Sequence, residues 1–191
     1  MANPTRRTSP PRPRVICFID ATSLFTHLEA AFGSGKYRPE ALCAALAGPD
    51  RDLVEWRFYA ARLPEGVGDK QWTNPEEQRR FLDAIGSHPK AVIQLGRVLV
   101  EGEPPNSYTR EKGVDVRIIA DLYTLDAKDR YDVAIVLSHD ECLIEAIEMT
   151  RTTFGKRVEI ALPEMFRGHP IDEAADGFVE ITTEMFQAAG L

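Results

Sequence analysis

One stretch in the second half of the chain constrains the fold more than any other. The apolar run 131–137 ends abruptly in Ser138-His139-Asp140, and a pattern with helical spacing follows at once over 139–154. A short β-type run that passes directly into a helix is the repeating unit of open, mostly parallel α/β sheets. Ligands bind such sheets outside the carboxyl ends of the strands, so Asp140 is predicted to lie at a binding edge.

The rest of the chain repeats this alternation, which predicts the α/β class and a three-layer α/β/α sandwich with a mostly parallel central sheet. The patterns predict strands over 14–20, 52–60, 90–100, 131–137, 157–162 and 178–181, and helices over 22–32, 39–47, 75–85, 114–125 and 139–154. Loops are expected over 62–73 and 101–112. Trp72, in the first loop, would either contact RNA or a partner protein or cover the edge of the core.

Composition fits one domain of ordinary size, with 191 residues of which 43% are hydrophobic. Residues 14–191 are expected to form that domain, after a flexible Arg- and Pro-rich leader over 1–13. No apolar run approaches the ~20 residues of a membrane-spanning helix, and the first residues lack the apolar core of a secretory signal. A cytoplasmic protein with three reduced cysteines is the expectation.

The charge balance argues against extensive non-specific binding to nucleic acid. The net charge is −7, although the first fourteen residues contain four arginines and no acid. An acidic body repels phosphate backbones, but it allows a local basic groove or contact through a bound metal. Arg97, Arg110 and Lys112 flank the predicted acidic edge, where they could steer an RNA backbone or could simply be solvated charges.

Three aspartates can reach the predicted binding edge. Asp20 follows the apolar run 15–19, Asp115 follows the turn at Gly113, and Asp140 follows the run 131–137. Hard divalent cations such as Mg²⁺ prefer oxygen ligands and need only a few carboxylates. A cation held there would activate water and offset the charge that builds on a phosphate during in-line attack.

Each aspartate also has a structural explanation. Ser138 and Glu141 fit a capping box, with Ser138 at the N-cap and Glu141 three residues later. Asp20 could cap the helix that begins near residue 22, and Asp115 could be a first-turn acid favoured by the helix dipole. Only the joint placement of the three carboxylates points to a site, so both interpretations stay open.

Several segments resemble the motifs of NYN domains, members of the PIN-like nuclease superfamily, in the same order along the chain. They are 15–24 (VICFIDATSL), 112–122 (KGVDVRIIADL), 131–140 (YDVAIVLSHD), 155–159 (GKRVE) and 175–179 (ADGFV). The resemblance extends over about residues 14 to 182. It implies a Rossmann-like sandwich with an acidic pocket and a ribonuclease activity that depends on Mg²⁺ or Mn²⁺.

The resemblance also implies roles for individual residues. Asp20, Asp115 and Asp140 occupy the family's acidic positions and would be both the metal ligands and the catalytic residues. If the chain is such a nuclease, the supporting residues would be Thr22, Ser23, Asp121, Ser138 and Glu141. From their position at the acidic edge, Arg110 and Lys112 would contact RNA. Asp121 matches a recurrent family aspartate, but six helical residues rotate it by about 240° from Asp115, away from the same ligand face.

The chain departs from the family pattern at five positions. Ala21 and Ser23 stand where the family usually has glycine and asparagine, while His139, Glu141 and Cys142 replace glycine, serine and a second aspartate. A protonated thiol is a poor ligand for a hard cation. The sequence therefore leaves two hypotheses, a metal-dependent endoribonuclease or a catalytically weakened module that binds RNA or protein, with a homodimer as one possible assembly.

Overall fold

The fold is a seven-stranded sheet with helices on both faces, which confirms the predicted α/β sandwich. A computed structural model gives the structure of residues 11–69, 71–102 and 108–190. The strands are β1 (Arg14–Asp20), β2 (Asp52–Arg62), β3 (Ala91–Glu101), β4 (Tyr108–Lys112), β5 (Val133–Leu137), β6 (Arg157–Leu162) and β7 (Gly177–Glu180). They are ordered β4-β3-β2-β1-β5-β6-β7, and every pair is parallel except β3 with β4.

The helices cover opposite faces of this sheet. They are α1 (Ala21–Phe32), α2 (Pro39–Ala47), α3 (Pro75–Gly86), α4 (Val114–Ala127), α5 (Ile144–Thr152), α6 (Pro170–Ala174) and α7 (Thr183–Ala189). Phe58 of β2 packs on Phe81 of α3, whereas the next residue, Tyr59, donates to Asp121 of α4. Because successive strand residues point to opposite faces, α3 and α4 lie on opposite sides.

The core is centred on β1 and β5, which are neighbours in the sheet. Every residue of β5 and all of β1 after Arg14 is buried. Strands covered on both faces require continuous apolar runs, which is why these two were evident in the sequence. Their carboxyl ends place Asp20 and Ser138 side by side at one edge of the sheet.

Three parts of the fold differ from the prediction. Strand β4 lies inside the predicted polar loop 101–112, and the short helices α6 and α7 were not predicted. The predicted helix 139–154 begins instead as a 3-10 turn, Glu141–Leu143, before α5. Asp140 caps that turn by accepting from the Cys142 amide at 2.9 Å. The capping-box interpretation of Ser138 is therefore wrong, since its hydroxyl is bonded to Asp20.

Trp72 is buried and packs near Phe81, so the interpretation of its ring as an exposed RNA or protein contact is wrong. Most of the predicted leader, residues 1–10, lies outside the described residues. Among the helices that the structure describes, none has the length and apolarity to cross a membrane. Cys17 and Cys43 are buried free thiols, while Cys142 is exposed.

Candidate functional site

Asp20 is the innermost carboxylate of the carboxyl edge. Its side chain is only 8% exposed, at the point where β1 passes directly into α1. One carboxylate oxygen accepts from the Ser23 amide at 3.1 Å, which confirms that Asp20 caps α1. The other accepts from the Ser138 hydroxyl at 3.0 Å. Both oxygens are thus oriented by the chain itself.

The charge on Asp20 is poorly stabilised. Burial raises the pKa of its carboxyl from 3.8 to about 6, and the charges of Glu111 and Asp140 add to the increase. The hydrogen bonds from Ser23 and Ser138 offset only part of it. Within the described residues, no lysine or arginine forms an ion pair with Asp20. An added cation would relieve this unfavourable ionisation.

Ser138 links Asp20 to Asp140. The buried Ser138 hydroxyl donates to Asp20 and accepts from the Asp140 amide at 3.2 Å. On the same edge, the Ser23 hydroxyl accepts from the His139 amide at 3.1 Å. These bonds fix the start of α1 against the end of β5, although Asp20 and Ser138 are 118 positions apart in sequence. Ser138 thereby connects the Asp20 carboxylate to the main-chain amide of Asp140.

Asp115 lies in the first turn of α4, after the left-handed Gly113, so the first-turn interpretation is confirmed. A hydrogen bond with Asp140 and the Asp140 charge raise the pKa of the Cys142 thiol, and the Asp115 charge adds to the increase. Across the ranges that the structure describes, no three His, Cys, Asp or Glu side chains are arranged to hold a metal ion. The three aspartates therefore border one edge without forming a ready three-carboxylate ligand set.

Asp121 and Glu141 have partners outside this pair of aspartates. Asp121 accepts from Tyr59 at 2.8 Å and forms an ion pair with Arg57, on the face of the sheet that α4 covers. The Glu141 carboxylate lies 3.3 Å from the His169 ring nitrogen. Both contacts are structural, and neither brings a carboxylate to Asp20.

Glu111 is an acidic neighbour of Asp20 that the sequence analysis missed. Its carboxylate accepts from the Thr22 hydroxyl at 2.9 Å and lines a cavity of about 230 Å³ that also includes Asp69. Burial, together with the Asp69 charge, raises the pKa of Glu111. The sequence signal was weak because the residue lay in an apparent loop. Once β4 is known, alternation places Glu111 on the opposite face from Arg110 and Lys112.

A cluster of histidines borders the acidic edge, also without a signal in the sequence. His27 and His139 ring nitrogens lie 3.2 Å apart, and the His139 and His169 ring centroids lie 3.8 Å apart. Phe166 packs edge-on against His27. Burial lowers the pKa of both His27 and His139. Burial thus favours the neutral forms of the His27 and His139 rings.

Comparisons with known proteins agree with this architecture. The NYN domain family model matches residues 14–182. A protein of unknown function from Vibrio parahaemolyticus superposes with a TM-score of 0.64 at 16% identity, covering 93% of this chain and 98% of its own. A Listeria monocytogenes protein assigned as a UDP-N-acetylglucosamine 2-epimerase gives only 0.47 at 12% identity, covering 94% and 42% of the two chains. No curated protein sequence matches the chain.

Proposed function

Because the chain belongs to the NYN domain family, we propose that it is a metal-dependent ribonuclease that hydrolyses RNA phosphodiester bonds at its acidic edge. The observation that carries the proposal is the pair Asp20 and Asp140, joined through Ser138. A buried carboxylate with a pKa near 6, acidic neighbours and no described cationic partner is a site suited to a bound cation.

The residues present fit Mg²⁺ or Mn²⁺ in one particular manner. Magnesium often binds through one or two carboxylates while keeping waters and taking substrate phosphates as further ligands. Asp20 and Asp140 match that requirement, and Asp115 is the proposed third ligand. A cation bound there would lower the pKa of a bound water and offset charge on the phosphate.

The other residues of the edge would prepare it for binding. Ser138 and the Ser23 amide orient the two oxygens of Asp20, so the carboxylate needs no rearrangement before it binds a cation. Glu111, held by Thr22, adds negative charge to the same pocket and strengthens its attraction for a cation. Preorganised charge of this kind costs folding stability and favours the bound state.

A second candidate function is favoured by Cys142, which stands where the family motif has its second aspartate. An NYN-fold module with a weakened site would bind RNA or a protein partner without cleaving RNA. Two features agree with it: the exposed thiol at that position, and the lack of a three-carboxylate group among the residues described. Such a module could act as a homodimer or as the subunit of a larger assembly.

A cleavage assay separates the two candidates. Wild-type protein is incubated with single-stranded and structured RNA in Mn²⁺, beside Asp20→Asn, Asp140→Asn and a matched control, Asp83→Asn, on the exposed face of α3. The ribonuclease proposal expects cleavage by wild type and Asp83→Asn, and a rate at least about a hundredfold lower in the other two. Equal background cleavage in all four would reject it and favour the binding module.

A further inference from the structure

Most arginines in the described ranges form an ion pair with a carboxylate. Those without such a partner there are Arg38, Arg62, Arg97, Arg110 and Arg117. Arg38 donates to main-chain carbonyls at the end of α7. The other four lie at one corner of the molecule, formed by β2, β3, β4 and the start of α4. Among the described arginines, four of the five without a carboxylate partner are therefore on neighbouring elements.

Three of the cations in this corner are aligned across neighbouring strands. Arg62 is paired with Arg97 in the β2–β3 register, and Arg97 is paired with Lys112 in the β3–β4 register. Neighbouring strands are about 4.8 Å apart, and like charges directly opposite each other are destabilising. This basic row, Arg62, Arg97 and Lys112, is thus unfavourable in the free protein. A bound anion would neutralise it.

Strand β4 adds an exposed aromatic ring to the same surface. Tyr108, Arg110 and Lys112 alternate along β4 and so project from one face. The Tyr108 ring is 59% exposed, and its hydroxyl donates to Glu101 at 3.0 Å. Positive charge interleaved with an exposed ring is the pattern by which proteins bind single strands, with the backbone on the cations and a base on the ring.

This surface lies next to Glu111, the acidic neighbour of Asp20. A cavity of about 460 Å³ is lined by Arg97, Lys112 and Arg117 together with the main chain around Gly96 and Gly113. Asp115 follows Lys112 by three residues, in the first turn of α4. Glu111, next to Lys112, points to the other face and accepts from Thr22. Strand β4 therefore carries both Lys112 of the basic row and Glu111, whose charge acts on Asp20.

We propose that the basic surface, defined as Arg62, Arg97, Tyr108, Arg110, Lys112 and Arg117, binds the backbone and one base of single-stranded RNA beside the acidic pocket. The inference rests on the proposed function, which supplies RNA as the substrate. It adds the surface along which the single-stranded RNA would lie. The basic row spans only about 10 Å across three strands, and the ring can stack only on an unpaired base. The long charged rod of a duplex would also meet the acidic body.

The test measures binding without cleavage. A 5′-labelled oligouridine is titrated with full-length protein in EDTA, and anisotropy is followed at several salt concentrations. Arg97→Gln with Lys112→Gln is expected to weaken binding at least about tenfold at low salt. The slope of log K against log[salt] should fall by about 1.4, since each contact with single-stranded RNA contributes about 0.7. Tyr108→Leu should weaken binding about fivefold or more with the slope unchanged, whereas Tyr108→Phe keeps wild-type affinity.

The matched control is Arg80→Gln with Lys128→Gln, the same charge change at two exposed positions on other surfaces. Thermal melts confirm that both double variants fold. The proposal is overturned if the two double variants bind alike, if an RNA duplex competes as well as the single strand, or if wild type shows no binding. If one of these outcomes is found and the wild-type protein still cleaves RNA in Mn²⁺, only the proposal for the basic surface is rejected. The ribonuclease proposal then remains.

Discussion

The two ends of the parallel strands, called here the amino edge and the carboxyl edge, differ in how their charged side chains are paired. At the amino edge, charges of opposite sign are paired: Arg14 with Asp129 and Asp132, and Glu159 with both Arg51 and Arg157. At the carboxyl edge, like charges lie together around Asp20 and along the basic row. Asp20 is grouped with Glu111 and Asp140, and the basic row aligns three cations.

This difference separates stability from binding. At the amino edge, the opposite charges of each ion pair neutralise one another, so little charge is left to attract a ligand. Like charges at the carboxyl edge repel one another, and a cation on the acidic pocket or an RNA backbone on the basic row would remove that repulsion. Natural proteins commonly lose stability at the places where they bind and react.

The largest effect is expected from Asp20→Asn. The folded-state pKa of about 6 lies above the unfolded value near 3.9, so the folded protein binds more protons between about pH 4 and 6. The ionised carboxylate therefore costs stability above pH 6, by on the order of 2–3 kcal/mol. Asparagine keeps the helix cap without the charge, so the variant should be more stable than wild type at pH 7.5 by up to about that amount.

The measurement is a denaturant melt of both proteins from pH 4 to pH 8. The advantage of Asp20→Asn should shrink as pH falls through 6 and be lost near pH 4, while RNA cleavage is lost at every pH. A variant less stable than wild type at pH 7.5 would show that the buried charge is already compensated, and the contrast between the edges would fail.

A smaller effect is expected from Cys142→Asp. Asp140, by a hydrogen bond and its charge, and Asp115, by its charge, already raise the pKa of Cys142. A carboxylate there would therefore add a third anion to the two. Mn²⁺ affinity measured by calorimetry should rise about tenfold, because cation affinity follows the number of charged ligands. The melting temperature without metal should fall. Cys142→Asn is the control of equal size. Equal Mn²⁺ affinities in the two variants would show that position 142 is outside the metal site, which would then consist of Asp20 and Asp140.

At the amino edge, Asp132→Asn should destabilise the protein by about 1 kcal/mol, the upper end for a partly exposed ion pair. Hydrogen bonds from Arg14 lower the pKa of Asp132 to about 2. The stabilisation is therefore present above about pH 4 and is lost as pH falls toward 2. Melts against Asp50→Asn, an exposed control, check the size of the effect. A change in RNA affinity would contradict the assignment of this edge to stability.

The smallest effect has the opposite sign. Arg97→Gln removes the central charge of the basic row and should raise the free energy of unfolding by about 0.5 kcal/mol at low salt. Salt screens the repulsion, so the gain should fade near 1 M. Arg80→Gln, which instead breaks an ion pair with Glu76 on α3, should give no gain. A loss of stability in Arg97→Gln would mean that the row is not repulsive.

The sequence predicts the central strands well because burial on both faces leaves an unmistakable apolar run, as in β1 and β5. It fails for β4, whose exposed, charged residues resemble those of a loop until pairing with β3 is known. The 3-10 turn after Asp140 was missed for a related reason. Ser138 could have capped a helix, but its hydroxyl is bonded to Asp20, which is distant in sequence.

The site shows the same division between local and long-range information. Asp20, Asp115 and Asp140 could be named because each follows a recognisable boundary between elements. Two features depend on elements that meet only after folding: the position of Glu111 and the contacts among His27, His139 and His169. The spacing of residues in the sequence therefore does not predict them. The basic row needs the exact register of three strands, which periodicity alone does not supply.

Strand β4 separates the two surfaces by a single residue, since Glu111 faces Thr22 while Lys112 faces Arg97. In a strand, moving the pairing by one residue exchanges the faces. A shift of one residue in the pairing of β3 with β4 would place a lysine beside Thr22 and a glutamate in the basic row. The β3–β4 register therefore decides which charges each surface carries, and a one-residue shift would abolish both surfaces without changing any of their residues.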